Sequence, residues 1–253
     1  MKEQIHTIPI NDALDNAGEC LFCYIEHRTE EHAMDYVLGH GASYMEADIR
    51  EMTDKAGFCR NHYKKMFDYG NALGNAWILK THYRRIIDEM NKEFKDYKPG
   101  KPAKKGLFSK TPSTSNSIVS WIKEKECSCF ICESVQNTFD AYLKTFFSMY
   151  SKDESVREKF FGTKGVCLSH FSNLIEGADK YLNPKELEEF YTRLLPLQSE
   201  NMERIYDDIS WFIEKYDYKN KDADWKDSKD AVQRGMMKMK GNDPSLPPYQ
   251  LKR

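Results

Sequence analysis

The 253-residue sequence lacks several things, and each absence narrows what the chain can be. No apolar run approaches the ~20 residues that a membrane-crossing helix requires. The first nineteen residues, MKEQIHTIPINDALDNAGE, hold no continuous hydrophobic stretch of the secretory-signal kind. Neither sign of charge is in excess: 38 Lys and Arg against 40 Asp and Glu leave a net −2, so no general field draws the chain to nucleic acid or an anionic bilayer. Strand-like alternation is missing apart from the short TIPI at 7–10. The seven cysteines are an odd number, which argues against a closed disulfide framework. The compartment these features predict is the cytoplasm, where thiols serve as ligands or reactive groups.

What is present is a pattern written twice. ECLFCYIE carries Cys20 and Cys23, and 35 residues on come Cys59 and His62 in GFCRNHYKKMFDYG. ECSCFICES carries Cys129 and Cys132, and 34 residues on come Cys167 and His170 in GVCLSHFSNLIEGA. The aromatic, apolar and small positions after each histidine also correspond, so an internal repeat is expected. Between the copies, YKPGKPAKKGLFSKTPSTSNS holds three prolines, five lysines and no acid, which suits a tether. The expected organisation is a first repeat over 1–96, a linker over 97–117, a second repeat over 118–218, and a C-terminal amphipathic helix and tail over 219–253.

Periodicity elsewhere is helical. Leu73, Trp77, Ile78, Ile86, Ile87, Met90 and Phe94 trace a stripe expected to face a core. Asn11 is a candidate N-cap for a helix leading toward Cys20. Asn183-Pro184 followed by Glu186 spells a capping box with proline at the first helical position, and Pro196 is expected to kink or split the helix that follows. Val232, Gly235, Met236 and Met239 share one face of a late helix stopped by Gly241; docking on its own core, with Trp225 as an anchor, is the plainer expectation, and partner binding the other. The fold class is all-α: two pseudo-repeated helical zinc-binding units joined by a basic Pro/Ser-rich linker.

A tetrahedral zinc ion takes four N or S ligands, commonly as two close pairs from separate limbs. Taken in sequence order, the pairs give site 1 as Cys20, Cys23, Cys59 and His62, and site 2 as Cys129, Cys132, Cys167 and His170, hence two Zn²⁺ per chain. Gly57 is placed to permit the turn that brings in the second pair. Arg60, Lys64 and Lys164 are candidates to offset the net −1 of each Cys₃His set. Iron–sulfur ligation is the competing cofactor. Cys127 aligns with Gly18 and is a possible extra thiol. Glu19, Glu26, Glu126 and Glu133 flank the motifs as candidate bases or helix-start acids, and His27, His32, His40 and His82 find no counterparts in the second copy. Four protein ligands close a site to substrate, so the metals are expected to be structural and no catalytic residue is assigned.

The doubled Cys-x2-Cys…Gly-x-Cys-x2-His pattern, with IPINDA near the start and the Trp-containing C-terminal helix, resembles a family of uncharacterised bacterial cytosolic proteins carrying a domain of unknown function. The resemblance spans nearly the full length and brings no activity or substrate. The function expected is a zinc-stabilised helical scaffold or adaptor that binds another protein. The alternatives are an iron–sulfur or zinc-thiolate redox- or metal-responsive protein and, more weakly, nucleic-acid binding through Lys98, Lys101, Lys104, Lys105 and Lys110.

Overall fold

The computed structural model describes residues 6–16, 18–97 and 116–250. Among these are eleven α-helices, three short 3₁₀ turns and no strand. The chain is therefore all-α. Residues 98–115 of the linker, with its five lysines, lie outside the described residues.

Two compact units form, and they do not follow the order of the repeats. One comprises Met1–Thr29 with Gln136–Pro247; the other comprises Glu30–Val135 with Pro248–Arg253. This corrects the sequential division at 97–117. The boundaries fall inside two long helices, α2 (Leu21–Leu38) and α7 (Phe130–Lys152), each contributing its first residues to one unit and the rest to the other.

In the first unit, α1 (Ile8–Asn16) starts on the TIPI segment, which is helical and not extended. Pro9 sits in the first turn, where the N–H it lacks has no intrahelical partner to lose. Asn11 lies inside this helix, its N–H bonded to the Thr7 carbonyl, and is not a cap. The unit's other helices are α8 (Glu154–Phe161), α9 (Leu168–Tyr181), α10 (Pro184–Glu214) and α11 (Ala231–Lys240). Its core is an aromatic nest in which Phe146, Phe147, Tyr150, Phe160 and Phe190 meet largely edge-to-face, the arrangement favoured by the ring quadrupole. Gly177 lets α9 approach this nest: a Cβ there would lie 2.4 Å from Phe147 Cε2.

The capping box at Asn183 forms as its residues predict, with Asn183 accepting from the Lys185 and Glu186 N–H groups. The 31-residue α10 then runs through Pro196 without being split. The late helix α11 docks through a different face from the expected one. Ala231, Gly235 and Lys238 are buried, whereas Val232, Met236 and Met239 are exposed. Close approach of the backbone decides this: a Cβ on Gly235 would stand 2.8 Å from Ile209 Cδ1. Trp225 packs on Phe212 and Tyr216.

The second unit holds α3 (Ala47–Ala56), α4 (Arg60–Tyr69), α5 (Ala72–Asp96) and α6 (Ser117–Cys127), around a core of Met34, Val37, Leu38, Phe58, Met66 and Ile78. The stripe on α5 does not face a core along its length. Ile78 is fully buried, but Leu73, Ile87 and Phe94 are exposed, and α6 has no buried residue at all. No helix among the described residues is long and apolar enough to cross a membrane.

Candidate metal centres

Four short segments share one local design. Cys59 and Cys167 are the N-cap residues of α4 and α9, with extended backbone, and the histidine of each motif stands three positions into its helix. Cys20 and Cys129 likewise stand immediately before α2 and α7, and Cys23 and Cys132 occupy the third helical position. Cys-x2-Cys and Cys-x2-His are thus the same knuckle, a ligand at the cap and a ligand one turn in, where exposed N–H groups favour a thiolate. Cys167 also accepts from the His170 N–H at 3.5 Å.

A positive-φ glycine stands two residues before three of the four knuckles: Gly18 (φ +53°), in open space before Cys20, and two that are closely packed. Gly57 and Gly165, each two residues before its cysteine, have φ of +62° and +71°. Each also admits a neighbour that a side chain would displace: a Cβ would come within 2.9 Å of His82 Cε1 at Gly57, and of Gln198 Oε1 at Gly165. His82 bonds the Asp54 carbonyl and Gln198 clasps both backbone groups of Val166, so both work as structural supports.

The knuckles combine across the repeats. Cys20, Cys23, Cys167 and His170 form one group and Cys59, His62, Cys129 and Cys132 the other, the four ligand atoms of each lying within 4.8 Å of one another. The same eight residues are involved as expected, but the sequential grouping is corrected: Cys20 and Cys23 are joined by Cys167 and His170, not by Cys59 and His62. Cys127 is exposed and stands outside both groups.

In the first centre, His170 Nδ1 lies 3.4 Å from Cys20 Sγ, 3.4 Å from Cys23 Sγ and 3.2 Å from Cys167 Sγ, and Cys23 and Cys167 are 3.7 Å apart. In the second, His62 Nδ1 lies 3.2 Å from Cys59 Sγ, 3.2 Å from Cys129 Sγ and 3.4 Å from Cys132 Sγ, with Cys59 and Cys132 3.9 Å apart. A tetrahedron with Zn–S of about 2.3 Å and Zn–N of about 2.0 Å has edges of roughly 3.8 Å between sulfurs and 3.5 Å from sulfur to nitrogen. The observed sets match it closely. Both could hold a metal ion.

Each imidazole turns its other nitrogen to a carboxylate. His170 Nε2 is 3.2 Å from Glu26, and His62 Nε2 is 2.7 Å from Glu30. An acceptor at Nε2 fixes the proton there and presents the Nδ1 lone pair to the sulfurs, the carboxylate–histidine arrangement that orients metal ligands. Glu30 was not among the sequence candidates: it stands 32 residues from His62, and only the fold brings the two together. Glu30 is also bonded by Lys65 and, at 2.6 Å, by the Tyr249 hydroxyl. Burial pushes its pKa up, but His62, Lys65 and Tyr249 prevail and hold it at about 2. Glu30→Gln is expected to weaken metal binding at the second centre by about 10- to 100-fold and leave the first unchanged, measured by competition with a chromophoric chelator.

Protonation follows the same contacts. Burial pulls His62 down, but Cys129 and Glu30 outweigh it and lift the ring to about 10. Burial likewise pushes Cys129 up, and His62 overrides it to bring the thiol to about 6. In the first centre Cys167 is driven down by bonds from Cys20 and Cys23, while Cys23 is driven up. A divalent metal takes all-thiolate, neutral-imidazole ligands, so its binding expels these protons.

A second charge set backs the first centre. Buried Glu19 meets Arg204 at 2.5 Å, Lys238 at 3.5 Å, Lys164 at 3.6 Å and Arg234 at 3.8 Å. Lys238 also donates to the Glu19 carbonyl at 2.8 Å, beside Cys20. Of the cations expected to offset a Cys₃His charge, only Lys164 belongs here; Lys64 pairs with Asp68.

The sequence matches, over residues 1–245, a family described as "Family of unknown function (DUF6062)". The chain belongs to that family. No curated protein and no solved structure matches it. For a DUF6062 member, the two Cys₃His groups are therefore the strongest chemical statement that the fold makes.

Proposed function

We propose that this protein is a zinc-stabilised helical adaptor, with two structural zinc ions each clamped between a Cys-x2-Cys knuckle and a Cys-x2-His knuckle. One observation carries the reading: eight ligand atoms stand in two sets, each within 4.8 Å, with its three sulfur–nitrogen distances and one sulfur–sulfur distance at the edge lengths of a single-ion tetrahedron. Iron–sulfur clusters fit less well, since two or more irons between the thiolates would hold them further apart. Four protein ligands fill each coordination sphere, which suits a cross-link and not a catalyst. The chain is, in this reading, a duplication whose halves have exchanged limbs, working in the reducing cytoplasm where thiolates stay available.

The adaptor role is supported by the apolar side chains left outside: Val232, Met236 and Met239 on α11, and Leu73, Ile87 and Phe94 on α5. Methionine-bearing faces adapt to partner surfaces, and the partner proposed is another protein. Anaerobically purified full-length chain is expected to be colourless with two zinc ions by elemental analysis; a brown chromophore with iron would replace this reading. Met236→Asp with Met239→Asp is expected to keep both ions and the melting temperature while losing partner capture. Retained capture would reject that face.

A further inference from the structure

The two centres differ in what can reach them. Cys20, Cys23, Cys167 and His170 are all buried, none more than 5 % exposed. The end of α11 covers them: a Cβ on Gly241 would lie 3.4 Å from Cys23 Sγ and 3.5 Å from Cys167 Sγ. In the other centre Cys129 and His62 are buried, but Cys59 is half-buried and Cys132 exposed. Their sulfurs stand 3.9 Å apart. Cys132 lies in the first turn of α7, and Cys59 caps α4.

We propose that Cys59 and Cys132 are a redox modification site, a thiol pair that a hydroperoxide oxidises to a disulfide with loss of the second metal ion. The ion-release half rests on the zinc reading above; the choice of thiols rests on geometry alone. The exposed Cys132 thiolate attacks one peroxide oxygen: an S–O bond forms, the O–O bond breaks, and the departing alkoxide or hydroxide takes a proton from water. The Cys59 thiolate then attacks the sulfenic sulfur, forming S–S and breaking S–O, and the hydroxide released is protonated. Two thiolates give up two electrons, the hydroperoxide takes them with two protons, and the products are a disulfide, water, and an alcohol or second water. Only Cys129 and His62 then remain for the ion, half of a tetrahedral set.

Full-length, metal-loaded protein titrated with hydrogen peroxide tests this, with released metal read by a chromophoric chelator and disulfides by peptide mass mapping. The expected result is one equivalent of metal released per chain, a single Cys59–Cys132 disulfide, and a second equivalent retained. First oxidation at Cys20, Cys23 or Cys167, or release of both ions together, would overturn it. Exposed Cys127 is the competing resolving thiol. Cys127→Ser is expected to give the same disulfide, and its loss in that variant would assign the chemistry to Cys127 and reject the pair. If the chain holds no metal, the zinc reading fails on its own, while the peptide map still decides whether Cys59 and Cys132 join first.

Discussion

Serine at both Cys20 and Cys167 is expected to leave the chain with one metal ion; serine at both Cys20 and Cys59 is expected to leave it with none. The contrast follows from the exchanged knuckles. Cys20 and Cys167 belong to one ligand set, so the first double variant spoils a single centre. Cys20 and Cys59 belong to different sets, so the second spoils both. Pairing in sequence order predicts the opposite for each protein: two ions lost in the first and one kept in the second. Metal per chain in purified variants is a whole-ion readout, and it needs no knowledge of biological role. One ion in the Cys20/Cys59 variant would refute the exchange.

His170→Ala should have the largest effect on stability. The ring is 2 % exposed, supplies Nδ1 to three sulfurs, and packs on Phe22 and Phe139 at centroid distances of 5.7 and 5.0 Å. Structural zinc couples on the order of 10 kcal/mol to folding, comparable with the ~5–15 kcal/mol that separates a domain from its unfolded state. The unit formed by Met1–Thr29 and Gln136–Pro247 is therefore expected to lose its cooperative melting transition. Hydrogen exchange should lose protection in α1, α9 and α11 while α4 and α5 keep theirs. His62→Ala should reverse that pattern. A His170→Ala chain with two ions and normal melting would contradict the structural role of the metal.

The helical class, the caps at Asn183 and Gly241, the turn-forming glycine at 57 and the eight cysteine and histidine positions that cluster could be read from the sequence, because each is a local signal: periodicity, a capping residue, a fixed spacing. The partner of each knuckle could not. Cys20 and Cys59 are closer in sequence than Cys20 and Cys167, so spacing alone favours the wrong pairing and long-range packing makes the choice. Faces failed for a related reason. On α11 the methionines have the higher hydrophobicity, but the small Gly235 and Ala231 let the helix approach α10, so closeness of packing chose the buried side. On α5 the apolar stripe is longer than the core that receives it, and only Ile78 is fully covered.

The exchanged knuckles also set an order on the chain's birth. Synthesis proceeds from the N-terminus at about 5–20 residues per second. Until Cys129 has emerged, the nascent chain carries only Cys20, Cys23, Cys59 and His62 of the eight, four residues that the finished structure places in two different groups. Once Cys132 follows, Cys59 and His62 have their native companions, but Cys20 and Cys23 wait for Cys167 and His170, 38 residues and some ~2–8 s longer. The ligand set that translation offers first is the one the native state takes apart. On the zinc reading proposed above, an ion captured by that early set has to be handed over before the chain can finish folding.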